Sequence, residues 1–186
     1  MRKNLSITPF QTFFVSKEES ACPLIPEIMR FGKSLDKLNL ETDDEVSISA
    51  AYGKRILINR SDVQLNELQQ EDILELVDYD PIRNILLTIG KYEPCLDAPV
   101  HWVIQNARHD VHAVVLVKSK SISEKICKKI PITEHEAPPG TIEYAKEALK
   151  TLQKGKQIQI KNNGVLLVGT DLKEIEKSFL EIWGKQ

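Results

Sequence analysis

The stretch DVHAVVLVKSKS, residues 110–121, decides how the rest of the chain is arranged. Its middle, residues 113–117, is a valine-rich apolar run with charged residues on both sides, which predicts a buried central strand. Helical patterns precede and follow this run, so we expect a sheet that is covered by helices. The strand ends at Lys118 and Ser119, where its side chains would reach a cleft.

The composition is that of one ordinary globular domain. The chain has 186 residues and a formal net charge of −2, so it has no basic surface of the kind that binds nucleic acid. Its three cysteines, Cys22, Cys95 and Cys127, form no closely spaced pair, which is typical of a reducing compartment. No apolar run suits a signal peptide or a membrane span. We therefore expect a cytoplasmic protein that contacts neither nucleic acid nor membrane.

The first half of the chain predicts an N-terminal arm, a helix and four strands. Residues 1–23 show no clear period and indicate a packed arm, and we assign residues 24–186 to the main domain. Apolar residues recur at helical spacing over residues 24–38. Four strand candidates follow, at residues 46–50, 55–59, 73–77 and 83–89, with turns at Gly53 and at residues 78–81. The first of them alternates apolar residues with serines, so we expect it to be half-buried.

The second half alternates helices and strands. Asp97 can cap a helix that ends near residue 107, and Thr141 can cap another after a short helix at residues 121–129. A hairpin is predicted around Asn162-Asn163-Gly164, between strands at residues 157–160 and 165–168, because Asn-Gly supplies the positive φ angles of a tight turn. A last amphipathic helix begins near residue 172. This order predicts a mostly antiparallel sheet with helices on its faces.

Six short strings, in order along the chain, resemble the class II aldolase/adducin family. They are ILINRSD with LNELQQEDILELVD (56–62 and 65–78), GKYEPCLDAPVH (90–101), RHDVHAVV (108–115), APPGT (137–141), KNNGV (161–165) and GTDL (169–172). The resemblance implies a three-layer α/β/α fold with a central, mostly antiparallel sheet. It also implies a homotetramer with active sites at subunit boundaries.

Enzymes of this family are zinc lyases, epimerases and dehydratases that act on small sugar phosphates and related hydroxy-carbonyl compounds. By resemblance, three histidines hold the zinc, which polarises the substrate carbonyl. A carboxylate handles protons, and loops rich in hydroxyl groups and glycine hold the phosphate.

This chain departs from the family at each of those places. The three zinc positions fall on Leu116, Lys118 and Asn163, none of which supplies an imidazole, so we expect zinc to be lost and no cofactor to replace it. The carboxylate position falls on Asp97, whose simpler interpretation is a helix cap. Together, Asp97 and Lys118 could instead form an acid–base or Schiff-base pair.

The phosphate-binding positions have also changed. Ser47, Ser61 and Asn162 remain as candidate substrate-binding residues, whereas Cys95 and Leu96 replace two serines of the family pattern. Two new carboxylates, at residues 44 and 45, would repel a phosphate.

Four histidines remain outside the former zinc positions. His101 matches a family histidine, and we expect it to be packed and hydrogen-bonded rather than a metal ligand. We expect His109, His112 and His135 to face solvent or loops. Whether aromatic residues of the N-terminal arm cover the cleft stays open at this point.

Two functions fit these observations. The first is a binding or structural homo-oligomer, a tetramer by resemblance, that has the aldolase fold and lacks zinc-dependent aldolase activity. The alternative is a remodelled enzyme of the lyase or epimerase type that acts on a small sugar-phosphate-like or carbonyl substrate. A small-molecule ligand is compatible with both.

Overall fold

A computed structural model describes residues 9–35, 44–126 and 130–183. The strands are β1 (Gln11–Ser16), β2 (Glu45–Tyr52), β3 (Arg55–Asn59), β4 (Ile73–Asp80), β5 (Ile85–Ile89), β6 (Ala113–Lys118), β7 (Gln157–Ile160) and β8 (Gly164–Gly169). The α-helices are α1 (Ile25–Leu35), α2 (Ala98–Ala107), α3 (Lys120–Ile126), α4 (Ile142–Leu152) and α5 (Leu172–Trp183). The ends predicted for the first and third helices, residues 36–38 and 127–129, and Cys127 with them, lie outside the described residues.

The described strands form one sheet in the order β1-β5-β4-β3-β2-β6-β8-β7. Every neighbouring pair is antiparallel except β1 and β5, which are parallel. This confirms the predicted mostly antiparallel α/β fold. Within the described residues, no helix combines the length and the apolar character needed to cross a membrane.

Strand β6 lies between two layers of helices, as its valine-rich sequence predicts. On one face, α1 and α5 pack against Ile48 and Val115, and the rings of Phe31 and Phe179 meet with their centroids 6.4 Å apart. On the other face, α2 and α4 pack against Leu116. Because both faces of β6 are buried, each of its aliphatic side chains contributes about 1.5–3 kcal/mol of burial free energy.

Strand β2 is buried on both faces, so the half-buried strand that we predicted is wrong. Ser47 and Ser49 are 2% and 0% exposed. Their hydroxyl groups meet the buried side chain of His101, a residue of α2, at 2.8 and 2.7 Å. A polar residue can occupy a core position when a partner satisfies its hydrogen bonds, and alternation alone does not reveal that partner.

The turn between β4 and β5, which we predicted at residues 78–81, lies at residues 81–84. Strand β4 continues to Asp80, whose carboxylate accepts the backbone N–H groups of Ile82 and Arg83 at 2.9 and 3.0 Å. Asn84 then takes a left-handed conformation (φ 55°), which asparagine tolerates. The side chain of Asp80 thus fixes where the chain reverses.

Strand β1 was not predicted from the sequence. It pairs in parallel with β5 at the edge of the sheet, with Phe13 opposite Leu87. Phe13 is 64% exposed and Val15 is 59% exposed, whereas Phe10 is buried against the α2 face. Among the described strands β1 has one partner, so one side of it is open and its sequence lacks the continuous apolar character of β6.

The β7–β8 hairpin forms as predicted, although the glycine has a different role from the one we assigned. Asn162 takes the left-handed conformation (φ 55°), and Gly164 is already the first residue of β8. A Cβ atom at Gly164 would collide with the carbonyl oxygen of Val117 and would lie 3.0 Å from Cα of Lys118. Glycine is therefore required here so that β8 can approach the end of β6.

We predict that Gly164→Ala lowers the free energy of unfolding by about 1–3 kcal/mol, because the added methyl group forces β6 and β8 apart. Urea denaturation followed by circular dichroism measures this loss. The control is Gly53→Asn, since a Cβ atom at Gly53 (φ 61°) would meet no other part of the protein within 4 Å and asparagine tolerates this φ. Equal stability of Gly164→Ala and the parent would contradict the steric requirement.

Candidate functional site

A cavity of about 520 Å³ opens beside the end of β6. The start of β2, the loop after β3 and the loop before α2 line it. Four of the predicted site residues, Ser47, Ser61, Asp97 and Lys118, are brought together in its lining. No described aromatic residue of the N-terminal arm lines this cavity, so the aromatic cover considered above is not formed by those residues.

Lys118, the last residue of β6, is held by two carboxylates. Its Nζ atom lies 2.8 Å from Oδ2 of Asp97 and 3.1 Å from Oε2 of Glu45. The side chains of Lys118 and Asp97 are only 14% and 4% exposed. Buried charges persist only when they are paired, so the lysine and Asp97 depend on each other.

Asp97 does not cap α2 with its side chain, so the helix-cap interpretation is wrong. The residue precedes the helix in an α-helical conformation (φ −86°, ψ −3°), which turns its carboxylate away from the first backbone N–H groups. Pro99, early in the helix, lacks an N–H group, which lowers the need for a cap.

Burial and pairing act on both ionisable groups. Burial raises the pKa of Asp97, and the ammonium group of Lys118 opposes that rise. Burial also acts to lower the pKa of Lys118, but the carboxylates of Asp97 and Glu45 outweigh it and hold this pKa above its usual value. Lys118 therefore carries a proton and is not a free amine.

A chain of hydrogen bonds leads from α2 to Asp97. Gln105 donates its amide to Oγ of Ser49 at 2.5 Å, and Ser49 lies 2.7 Å from Nδ1 of His101. On the other side of the ring, Nε2 of His101 lies 2.8 Å from Oγ of Ser47, which donates to Oδ2 of Asp97 at 3.5 Å. A neutral ring with its proton on Nε2 satisfies all of these contacts.

Burial lowers the pKa of His101 to about 3, and the charge of Lys118 acts in the same direction. The ring is therefore neutral at physiological pH, as its contacts require. This confirms the expectation of a packed, hydrogen-bonded histidine. His109, His112 and His135 are exposed, as predicted.

Asn59 positions the cavity, and the sequence analysis missed it. The β2–β3 pairing stops at Ser49 and Ile58, and beyond this point the Asn59 side chain replaces the backbone ladder. Its Oδ1 atom accepts the N–H of Ile48 at 2.7 Å, and its amide donates to the carbonyl groups of Val46 and Arg60 at 3.0 and 3.1 Å. The only signal in the sequence is one polar residue at the end of an apolar strand.

Arg60, also missed, forms the wall next to Ser61. Its Nε atom lies 2.6 Å from Oδ1 of Asp72, and its guanidinium group stacks 4.7 Å above the ring of Tyr92. The carboxylate of Asp72 also accepts the backbone N–H of Gln69 at 2.9 Å. Arg60 is thus paired with a carboxylate and stacked on an aromatic ring within the protein itself.

The other predicted site residues lie elsewhere. Leu116 is fully buried in the apolar layer under α2 and α4. Asn163 accepts a hydrogen bond from the hydroxyl group of Tyr144 at 3.1 Å. Asn162 is on the exposed hairpin, where its amide donates to Glu136 at 3.0 Å, and it does not line the cavity.

The described residues contain no group of three or more histidine, cysteine, aspartate or glutamate side chains that could hold a metal ion. Cys95 lines the cavity but is buried, and this burial raises the pKa of its thiol well above the usual range. Its sulfur is therefore an unreactive thiol rather than a thiolate.

The three layers and the cavity at the end of β6 define an aldolase-like α/β/α protein. The chain belongs to the family described as Class II Aldolase and Adducin N-terminal domain, whose sequence profile matches residues 26–182. The resemblance seen in the sequence is thereby confirmed. A search of curated proteins found no match.

Solved structures of this family share the fold at low sequence identity. An L-fuculose 1-phosphate aldolase superposes with a TM-score of 0.69 at 17% identity, over 88% of this chain and 87% of that chain. YgbL from Klebsiella pneumoniae superposes with a TM-score of 0.71 at 16% identity, over 87% of this chain and 85% of that chain. The L-fuculose-1-phosphate aldolase from Thermus thermophilus superposes with a TM-score of 0.66 at 19% identity, over 87% of this chain and 86% of that chain.

We predict that His101 makes the folded state less stable as the pH falls. Its pKa is about 3 in the folded protein, against about 6.5 when unfolded, so between these values the unfolded chain binds more protons. His101 then removes about 2 kcal/mol of stability between pH 8 and pH 5. The raised pKa of Asp97 acts in the opposite direction, so the share of His101 must be measured by difference.

The measurement is urea denaturation at both pH values, for the parent, His101→Gln and the control His109→Gln at an exposed position. The loss of stability on acidification should be smaller in His101→Gln than in the other two proteins. An unchanged loss in His101→Gln would show that the ring is not buried in its neutral form.

Proposed function

We propose that this protein binds a small molecule in the cavity at the end of β6, as a homo-oligomer, and that it has no zinc-dependent aldolase activity. The observation that carries the proposal is the ion pair of Lys118 with Asp97 at 2.8 Å. The resemblance assigns one zinc ligand to the position of Lys118. An ammonium group there repels a metal cation and takes up the carboxylate beside it.

The other two zinc positions support the same conclusion. Leu116 has no donor atom and is buried among apolar side chains. Asn163 presents an amide oxygen that already accepts a hydrogen bond from Tyr144. Zinc sites in proteins use thiolate, imidazole and carboxylate ligands, so this set does not fit zinc.

The alternative, a remodelled lyase or epimerase, has weaker support. Ser47, Ser61, Asp97 and Lys118 share one cavity, which a remodelled active site would need. However, a Schiff-base lysine must lose its proton, and the carboxylates beside Lys118 raise its pKa. Lys118 is a partner for a carboxylate, not a nucleophile, which favours a binding function.

An assembly of four subunits is part of the proposal. The edge strand β1 is uncharged over Gln11–Ser16 and exposes Phe13 and Val15, and native proteins cover or charge such edges. We also assign the protein to the cytoplasm. The free thiols of Cys22 and Cys95 agree with this compartment.

We predict that the purified protein, after dialysis against metal-free buffer, contains no stoichiometric zinc by inductively coupled plasma mass spectrometry. The control is His135→Ala, because His135 and its glutamate neighbours could hold adventitious zinc on the surface. One zinc per chain that persists in His135→Ala and is lost in Asn163→Ala would overturn the zinc-free proposal.

We predict a solution mass of four times the 21.1 kDa of the chain by light scattering after size-exclusion chromatography. Phe13→Lys places a charge on the exposed edge of β1 and should lower this mass. Leu180→Lys, on α5 at 61% exposure, is the control and should leave it unchanged. A monomeric parent at micromolar concentration would contradict the assembly.

A further inference from the structure

The cavity at the end of β6 has an excess of negative charge. Among the described residues, its lining contains four carboxylates, those of Asp44, Glu45, Asp62 and Asp97, and two cationic side chains, those of Arg60 and Lys118. We propose that it binds a small cation that carries hydroxyl groups, such as an amino sugar, in preference to a sugar phosphate. This inference rests on the proposed ligand-binding function.

Each of these two cations is already paired with a carboxylate of the protein. Lys118 is held by Asp97 and Glu45, at 2.8 and 3.1 Å. Arg60 is held by Asp72 at 2.6 Å and stacks on Tyr92. A phosphate would have to compete with a carboxylate for either cation, and it would also be repelled by the other carboxylates of the cavity.

Asp62 is the carboxylate best placed to receive an ammonium group. It is exposed, it lines the cavity, and it makes no ion pair with any other described residue. Its left-handed backbone conformation (φ 57°) fixes its position in the loop after β3. A cationic ligand would supply the opposite charge that the protein does not.

A second observation comes from the deeper part of the lining. The Oδ1 atom of Asp97 is buried and has no hydrogen-bond partner among the described residues, although Oδ2 has two. A buried acceptor without a donor costs about 1–3 kcal/mol. A ligand hydroxyl or ammonium group that donates a hydrogen bond to Oδ1 would remove this cost. The site therefore favours a ligand with hydrogen-bond donors over a ligand group that only accepts hydrogen bonds.

The remaining polar lining suits hydroxyl groups. Ser47 lies next to Asp97, and Ser61 and Asn66 are exposed in the loop after β3. These neutral groups can donate to or accept from a hydroxyl group without changing the charge of the cavity. The ligand class that matches both the carboxylates and the neutral polar groups of the lining is therefore a polyol with one amine.

The test is isothermal titration calorimetry at pH 7 and low salt with three amino sugars, glucosamine, galactosamine and mannosamine. Each is compared with its neutral parent sugar and with the 6-phosphate of that parent. We expect at least one amino sugar to bind. Its neutral parent sugar should bind more weakly, and the 6-phosphate of that parent sugar should not bind. High salt should weaken the amine preference, because exposed charges are screened.

Asp62→Asn removes the exposed charge and keeps a residue that tolerates the left-handed conformation. It should weaken the binding of the amino sugar by about 1.4-fold to fivefold, the usual range for an exposed ion pair, and leave the binding of the neutral sugar unchanged. The control Glu143→Gln removes an exposed carboxylate outside the cavity and should change neither.

Several results would overturn the inference: a 6-phosphate that binds as tightly as the amino sugar, no preference for the amine over the neutral parent, an amine preference that survives Asp62→Asn, or no binding by any of these sugars. Each of them leaves the zinc-free proposal in place, since that proposal is decided by the metal content. Stoichiometric zinc lost in Asn163→Ala would instead remove the proposed function itself.

Discussion

The ion pair between Lys118 and Asp97 determines the chemistry at the centre of this fold. Strand β6 is buried on both faces, so a charge at its end must find a partner inside the protein. Asp97 supplies it at 2.8 Å, and Glu45 supplies a second carboxylate at the rim. Removal of one partner of a buried pair costs about 3–5 kcal/mol, whereas the intact pair adds little to stability. The pair therefore fixes the site rather than stabilising the fold.

The hydrogen bonds around His101 connect the ion pair of Lys118 and Asp97 to the helix α2. Gln105, Ser49, His101 and Ser47 form one line that ends at Asp97, and all four side chains are buried. Each group in the line orients the next, so Asp97 cannot rotate without breaking the contact with Ser47. In this arrangement the protein holds the carboxylate of Asp97 in the orientation that pairs with Lys118.

The sequence predicts the elements of this fold better than the contacts between them. The apolar run of β6 and the turn at Gly53 depend on local patterns, and both form where they were expected. Strand β1 was missed because an edge strand with one partner has no strong pattern of its own. The roles of Asn59 and Ser49 were missed because their partners lie elsewhere in the sequence. The pairing of Asp97 with Lys118 was considered from the sequence only because the family resemblance places both residues at the same site. Periodicity indicates which residues are buried, but it does not show which polar groups meet.

The family fold and the charge of the cavity depend on different residues of the chain. The backbone of the sheet superposes on sugar-phosphate enzymes at 17% identity, because apolar layers tolerate many sequences of similar volume. The cavity does not share this freedom, since each buried charge in it must be paired within the protein or with a ligand. In this chain the cations are balanced internally by Asp97, Glu45 and Asp72, and Asp62 is left without an opposite charge among the described residues. The proposed preference for a cation therefore lies in the side chains of the cavity and not in the fold that this chain shares with an L-fuculose 1-phosphate aldolase.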